Sequence, residues 1–179
     1  MSCDDSSVQA ASIPTERLDL VLLTRSWLRA YVEGSSLPDL GFVDPDDFLA
    51  DAAHVVHLRA EQLAHDPTQA PWLLRAIVLR ATGGAVGYVN FHAPPDESGV
   101  VEIGYQVLPR HRRRGYATEA AGGMWAWAVR NGALVFRASV APDNEASLAM
   151  VRHAGFVQVG SQIDDVDGLE LVFERSAGG

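Results

Sequence analysis

The sequence predicts an α/β domain of the α+β kind: a mostly antiparallel mixed sheet of six to seven strands, with about four helices on its faces. Three observations predict it. Apolar residues alternate with period two in VVEIGYQV (Val100–Val107) and again over residues 134–140. A helix-length stretch of good helix formers, residues 117–131, lies between those runs and stops at Gly132, so the two strands need a crossover and are parallel neighbours. Residues 72–81 and 85–93 flank a TGG turn and read as an antiparallel hairpin.

The other elements follow in chain order. RLDLVLL, residues 17–23, alternates and reads as a strand. Thr24 caps a short helix that runs to Glu33 and stops at Gly34. Asp44 as cap and Pro45 at the first helical position open a second helix reaching about His65, with a break expected near His54–His57. PPDESG is a loop before the Val100–Val107 strand. After the 134–140 strand, APDN is a turn, EASLAMVRHA a helix stopped by Gly155, and FVQVGSQ and LELVFER are closing strands around the acidic turn IDDVDG. Residues 14–176 form one domain behind a disordered tail, 1–13.

Composition excludes several function classes. The hydrophobic content of 47% with 21% charged residues is that of a soluble globular chain, and no apolar run approaches a membrane span. The start, MSCDDSSVQAAS, lacks the basic and apolar segments of a signal peptide, so a cytoplasmic location is expected. Cys3 has no second cysteine to pair with. The formal net charge of −9 argues against a general nucleic-acid binder. His92, His111 and His153 are scattered, and no metal site is expected.

Against that acidic background, PRHRRRGYATEA (109–120) concentrates four of the 14 basic residues, all of them arginine, in five positions. A strand, a basic loop, a glycine and a helix start in succession make an anion site. The first helical turn has backbone N–H groups without intrahelical partners, and the helix dipole adds about half a positive charge there. Gly115 lets the backbone bend and approach a ligand, Ala117 is small, and Thr118 can cap or donate. No lysine follows the glycine, so this is not a nucleotide P-loop. The GGAVG at Gly83–Gly87 opens no helix, so it is not a dinucleotide fingerprint either. The ligand implied is a diphosphate that is held and not cleaved; the other reading is a solvated basic loop tip.

VEIGYQVLPRHRRRGYATEA, with ASVAPDNEASLAMVRHAGF downstream, resembles the GNAT superfamily of acyl-CoA N-acyltransferases. Arg112-x-x-Gly115-x-Ala117 is similar to that family's coenzyme A signature. TERLDL (15–20) and Asn144-x-x-Ser147 resemble its RimJ/RimL-like branch, whose members acetylate protein N-terminal amines or small amines. The resemblance implies acetyl-CoA as cofactor. The strand before the loop would splay from its neighbour, with Tyr105, Gln106 and Val107 holding pantetheine through their backbone. Arg112, Arg113, Arg114, Gly115, Tyr116, Ala117 and Thr118 would hold the diphosphate, and Asn144 and Ser147 would contact the cofactor. It implies a small-molecule amine or peptide N-terminus as acceptor, Trp27, Asn90 and His92 near that acceptor, and a homodimer.

The reaction implied is attack of an amine on a thioester. Moving a proton from an alkyl ammonium (pKa about 10.4) to a glutamate (about 4.3) is uphill by roughly 8 kcal/mol in water, and from an α-amine by about 5. A carboxylate base therefore needs a burial-raised pKa, an intervening water, or an acceptor with a lowered pKa. Glu102 is the candidate, an acid among Val100, Val101 and Ile103; its other reading is a polar-face residue or a structural ion pair. Ser147 is the candidate proton donor to the leaving thiolate. Many family members use a tyrosine where this chain has Val151. Asn144 has a second reading as a helix cap, and Trp27 as core. The rival from another class is a non-catalytic acyl-CoA sensor of the same fold, which needs no base. A third reading, RNA association through residues 110–114, predicts salt-sensitive RNA binding that survives saturating CoA.

Overall fold

The computed structural model describes residues 12–165 and 168–178. Cys3, most of the expected tail and Asp167 of the acidic turn lie outside the described residues. Among the described residues there are eight strands and five α-helices. They group into two compact units: one holds the residues up to Asn90 together with Tyr105–Met124, the other Phe91–Gly104 together with the chain from Trp125 onward.

In the first unit, β1 (Ile13–Pro14), β2 (Leu18–Leu22), β3 (Arg75–Leu79) and β4 (Ala85–Phe91) follow one another antiparallel. β5 (Val100–Val107) returns beside β4, where the Leu108 amide donates to Val86 O at 2.9 Å. Period two is visible in β2, where Leu18, Leu20 and Leu22 are buried and the residues between them are not. Helix α1 (Arg25–Val32) starts where Thr24 accepts the Trp27 amide at 3.2 Å. α1, α2 (Phe48–Asp51) and α3 (Ala53–His65) bury Trp27, Leu28, Phe48, Val56 and Leu63 in one cluster with Leu73, Leu74 and Leu108.

Two expectations are corrected here. The second helix breaks at Ala52, before His54, and its first turn starts only after Asp47, which is left-handed (φ 54°). Asp44 does cap, but from four residues upstream, accepting the amides of Phe48 (2.9 Å) and Leu49 (3.2 Å). Trp72 is not strand: it ends a 3-10 helix, Pro67–Trp72, whose start Asp66 caps by accepting the Thr68 amide. β3 begins three residues later.

In the second unit, the start of β5 pairs parallel with β6 (Val135–Val140), at Val100↔Val135, Val101↔Phe136 and Glu102↔Arg137. β6 pairs antiparallel with β8 (Gly168–Ser176), and β8 with β7 (Val157–Asp164). The expected crossover is α4 (Tyr116–Arg130), which begins in the first unit and ends in the second. α5 (Glu145–His153) stops at Gly155, and Phe156 is buried in the core with Trp125 and Phe136. The Arg175 guanidinium lies 4.8 to 5.3 Å from the three ring centroids and donates to Ala154 O at 2.8 Å.

Candidate functional site

The basic loop belongs to the first unit. After β5 the chain makes one 3-10 turn, Pro109–His111, then passes through an extended Arg112, a left-handed Arg113 (φ 61°) and Gly115 (φ 79°) into α4. A non-glycine residue in the left-handed region costs about 1–2 kcal/mol, so the conformation of Arg113 is imposed by its surroundings. The first backbone bond into α4 runs from the Glu119 amide to Gly115 O at 3.0 Å. The amides of Tyr116, Ala117 and Thr118 therefore precede the helix ladder, and residues 112–115 are exposed. Donors without intrahelical partners at the positive end of a 15-residue helix can hold an anion.

The arginines divide their work. Arg112 folds back and donates through Nε to Val107 O at 2.9 Å, joining the loop to the end of β5. Arg110 and His111 are turned to Asp46: Arg110 Nη1 donates to Oδ1, and His111 Nε2 lies 2.6 Å from Oδ2. Two of the six residues in the 109–114 segment are thus spent on holding the loop to the segment before α2. Asp46 is occupied by these bonds, and Asp44 by capping the amides of Phe48 and Leu49.

Three features escaped the sequence reading. Arg17 donates to Glu119 Oε2 and to Arg114 O, joining the loop to the first turn of α4. Gly87 on β4 faces the end of β5 so closely that a Cβ there would lie 2.0 Å from Gln106 O and 2.9 Å from Val107 Cα. The only sequence signal for it is a glycine inside a strand. Ser139 of β6 donates to Glu102 Oε1 at 2.5 Å and accepts from Gln162 at 3.2 Å.

The remaining candidates fall as follows. Tyr105, Gln106 and Val107 end β5, and with the loop they complete the first unit's set. Trp27 is only 3% exposed and stacks on Tyr31, as a core residue does. Asn90 is buried and accepts from Arg59 Nε at 2.9 Å; burial lowers the Arg59 pKa from its ordinary value. The second unit carries Glu102, exposed His92 (whose amide donates to Glu102 O at 2.9 Å), Asn144 and Ser147. Asn144 caps α5, its side-chain oxygen accepting the Ser147 amide at 3.1 Å. Val151 is fully buried, so this position of α5 faces the core. Among the described residues no group of three or more His, Cys, Asp or Glu side chains could hold a metal, and no helix is long and apolar enough to cross a membrane.

The family model of the acetyltransferase (GNAT) domain matches residues 17–157. The chain belongs to this family. Among curated relatives, YjdG of Bacillus subtilis strain 168, described as an uncharacterized N-acetyltransferase, is 37% identical over 73 residues, 40% of this chain and 44% of that protein. The chain thus aligns with less than half the length of that relative. Among solved structures, a GNAT-family acetyltransferase from Bacillus anthracis superposes with a TM-score of 0.64 at 16% identity, covering 94% of this chain and 99% of that one. RimL, described as a ribosomal L7/L12 alpha-N-protein acetyltransferase, gives a TM-score of 0.64 at 16% identity over 92% of this chain and 97% of that one. At these identities the likeness is one of fold.

Proposed function

We propose that this GNAT-family chain is an N-acetyltransferase of the RimJ/RimL-like branch, moving an acetyl group from acetyl-CoA to a primary amine, either a small molecule or a protein N-terminus. The observation that carries the reading is the exposed loop of residues 112–115 running into α4 ahead of the first helical bond at Glu119. Its amides, the left-handed Arg113 and Gly115, and the exposed Arg114 fit a diphosphate by chemistry and by access. When bound, acetyl-CoA supplies the acetyl group as a thioester, whose carbonyl carbon is electrophilic.

The chain's own residues do the rest. The backbone of Tyr105, Gln106 and Val107 holds the pantetheine arm, and an N–H of this strand acts as an oxyanion donor. Glu102 takes the proton from the acceptor ammonium, directly or through a water. Its Oε1 accepts from the Ser139 hydroxyl at 2.5 Å. Ser147, in the first turn of α5, would supply a proton to the leaving thiolate. The TERLDL opening and Asn144-x-x-Ser147 support the branch.

Thiol release from acetyl-CoA across a panel of amines and peptides tests the reading. Turnover with at least one acceptor is expected. Glu102→Gln should lower kcat by about 10²-fold or more, a usual contribution of a general base, with CoA affinity retained. Tight CoA binding with no turnover on any acceptor would instead support the sensor.

A further inference from the structure

We infer that Arg17, from the segment before β2, is the positioning residue that aims the diphosphate-binding amides of the 112–118 loop, a role resting on the cofactor reading above.

Arg17 spans the base of the loop with both ends of its side chain. Nε donates to Glu119 Oε2 at 2.7 Å, and Nη1 donates to Arg114 O at 3.0 Å. The Arg17 amide donates to Glu119 Oε1 at 2.7 Å, and the Thr15 hydroxyl to the same oxygen at 2.6 Å. The guanidinium also lies 5.0 Å from the centroid of the Tyr116 ring. Residues a hundred positions apart in sequence thus meet at the first turn of α4.

The bond to Arg114 O has a directional consequence. The Arg114 carbonyl and the Gly115 N–H belong to one planar trans peptide, and they point in opposite directions. Drawing the carbonyl toward Arg17 turns the Gly115 N–H away from it. The loop's donor is thereby fixed by what grips its acceptor on the other side. Gly115 also makes room for the grip: a Cβ there would stand 3.3 Å from Arg17 Nη2.

The bond to Glu119 answers an electrostatic problem. A carboxylate in the first turn of α4 suits the helix dipole but opposes an incoming diphosphate. Arg17 places a cation against that carboxylate. Burial alone would raise the Glu119 pKa, but the bonds from Thr15 and Arg17 outweigh it and hold the group below its ordinary range. The paired acid keeps its bonding role and loses most of its repulsion. A lysine could cancel the charge, but it lacks the planar fork that reaches a carboxylate and a carbonyl together.

The Arg17 side chain is 47% exposed, so the ion pair adds little to global stability and variants at this position should keep the fold. The test compares wild type, Arg17→Ala and Arg17→Lys with two acetyl donors, acetyl-CoA and S-acetylpantetheine, which lacks the diphosphate; calorimetry supplies the Kd for CoA. Both variants should raise that Kd and the KM for acetyl-CoA tenfold or more, with kcat unchanged and kcat/KM for S-acetylpantetheine within twofold of wild type. Wild-type affinity for CoA in Arg17→Ala, equal losses with both donors, or full rescue by lysine would each overturn the role. Failure of the wild-type protein to bind CoA would instead overturn the cofactor reading, and this inference with it.

Discussion

Replacing Gly87 with alanine should distort the end of β5, where the pantetheine arm is proposed to lie. The residue has φ 154°, a region that side-chain-bearing residues rarely enter. Holding alanine there costs on the order of 1–3 kcal/mol. The new Cβ would also stand 2.0 Å from Gln106 O and 2.9 Å from Val107 Cα. Both are backbone atoms of a paired strand, so neither can rotate aside, and overpacking adds about 1–3 kcal/mol. The sum is roughly 2–6 kcal/mol, and at about 2–4 °C per kcal/mol for a chain of this size Tm should fall by roughly 4 °C at the least. Gly83→Ala is the control: φ is 69° and nothing stands within 4 Å of the added carbon, so only the backbone cost of about 1–2 kcal/mol applies. Thermal unfolding of both variants, with CoA affinity by calorimetry, makes the comparison. Gly87→Ala should melt below Gly83→Ala and bind CoA more weakly. Equal melting points and unchanged affinity would refute the close approach of β4 to Gln106.

Two further outcomes follow from the bonding. Because the Glu119 pKa is depressed in the fold, its stabilising contribution is present above the unfolded value of about 4.3 and is lost as pH falls through the lower folded value. The stability gap between wild type and Glu119→Gln, measured by denaturant melts, should therefore be constant from pH 7 to 5 and close below pH 4; a gap that widens on acidification would contradict this. Arg175→Ala strips the guanidinium from Trp125, Phe136 and Phe156 and leaves Ala154 O without its donor, which should cost about 2–4 kcal/mol in urea denaturation.

The run from β5 through the basic loop to α4 was readable from sequence because each of its signals is local: alternation, then a glycine, then helix formers. The break before α3 was expected but placed too late, and the start of α2 was not readable. Asp47 takes a left-handed conformation in a segment whose neighbour, Asp46, is bonded to Arg110 and His111 more than sixty residues away. Trp72 was misread because the apolar residues 72–74 run on into β3, although Asp66, Pro67 and Pro71 mark the 3-10 turn. Arg17 stood in view within TERLDL, but nothing local says that it reaches Glu119. The two-residue β1 has too little sequence to show a period; with it there are eight strands among the described residues, against the six to seven expected. Of the candidate site, the anion loop could be derived from helix physics, whereas the Glu102–Ser139 bond depends on the registration of β5 against β6.

The backbone around Gly115 is proposed to bind the diphosphate of coenzyme A. Calorimetric titration of acetyl-CoA into the folded protein and into Gly115→Val measures it directly. Saturable one-to-one heat with the wild-type chain, at least tenfold weaker in the variant, is the predicted result. No heat with any CoA derivative, or equal affinity in the two proteins, would contradict the account.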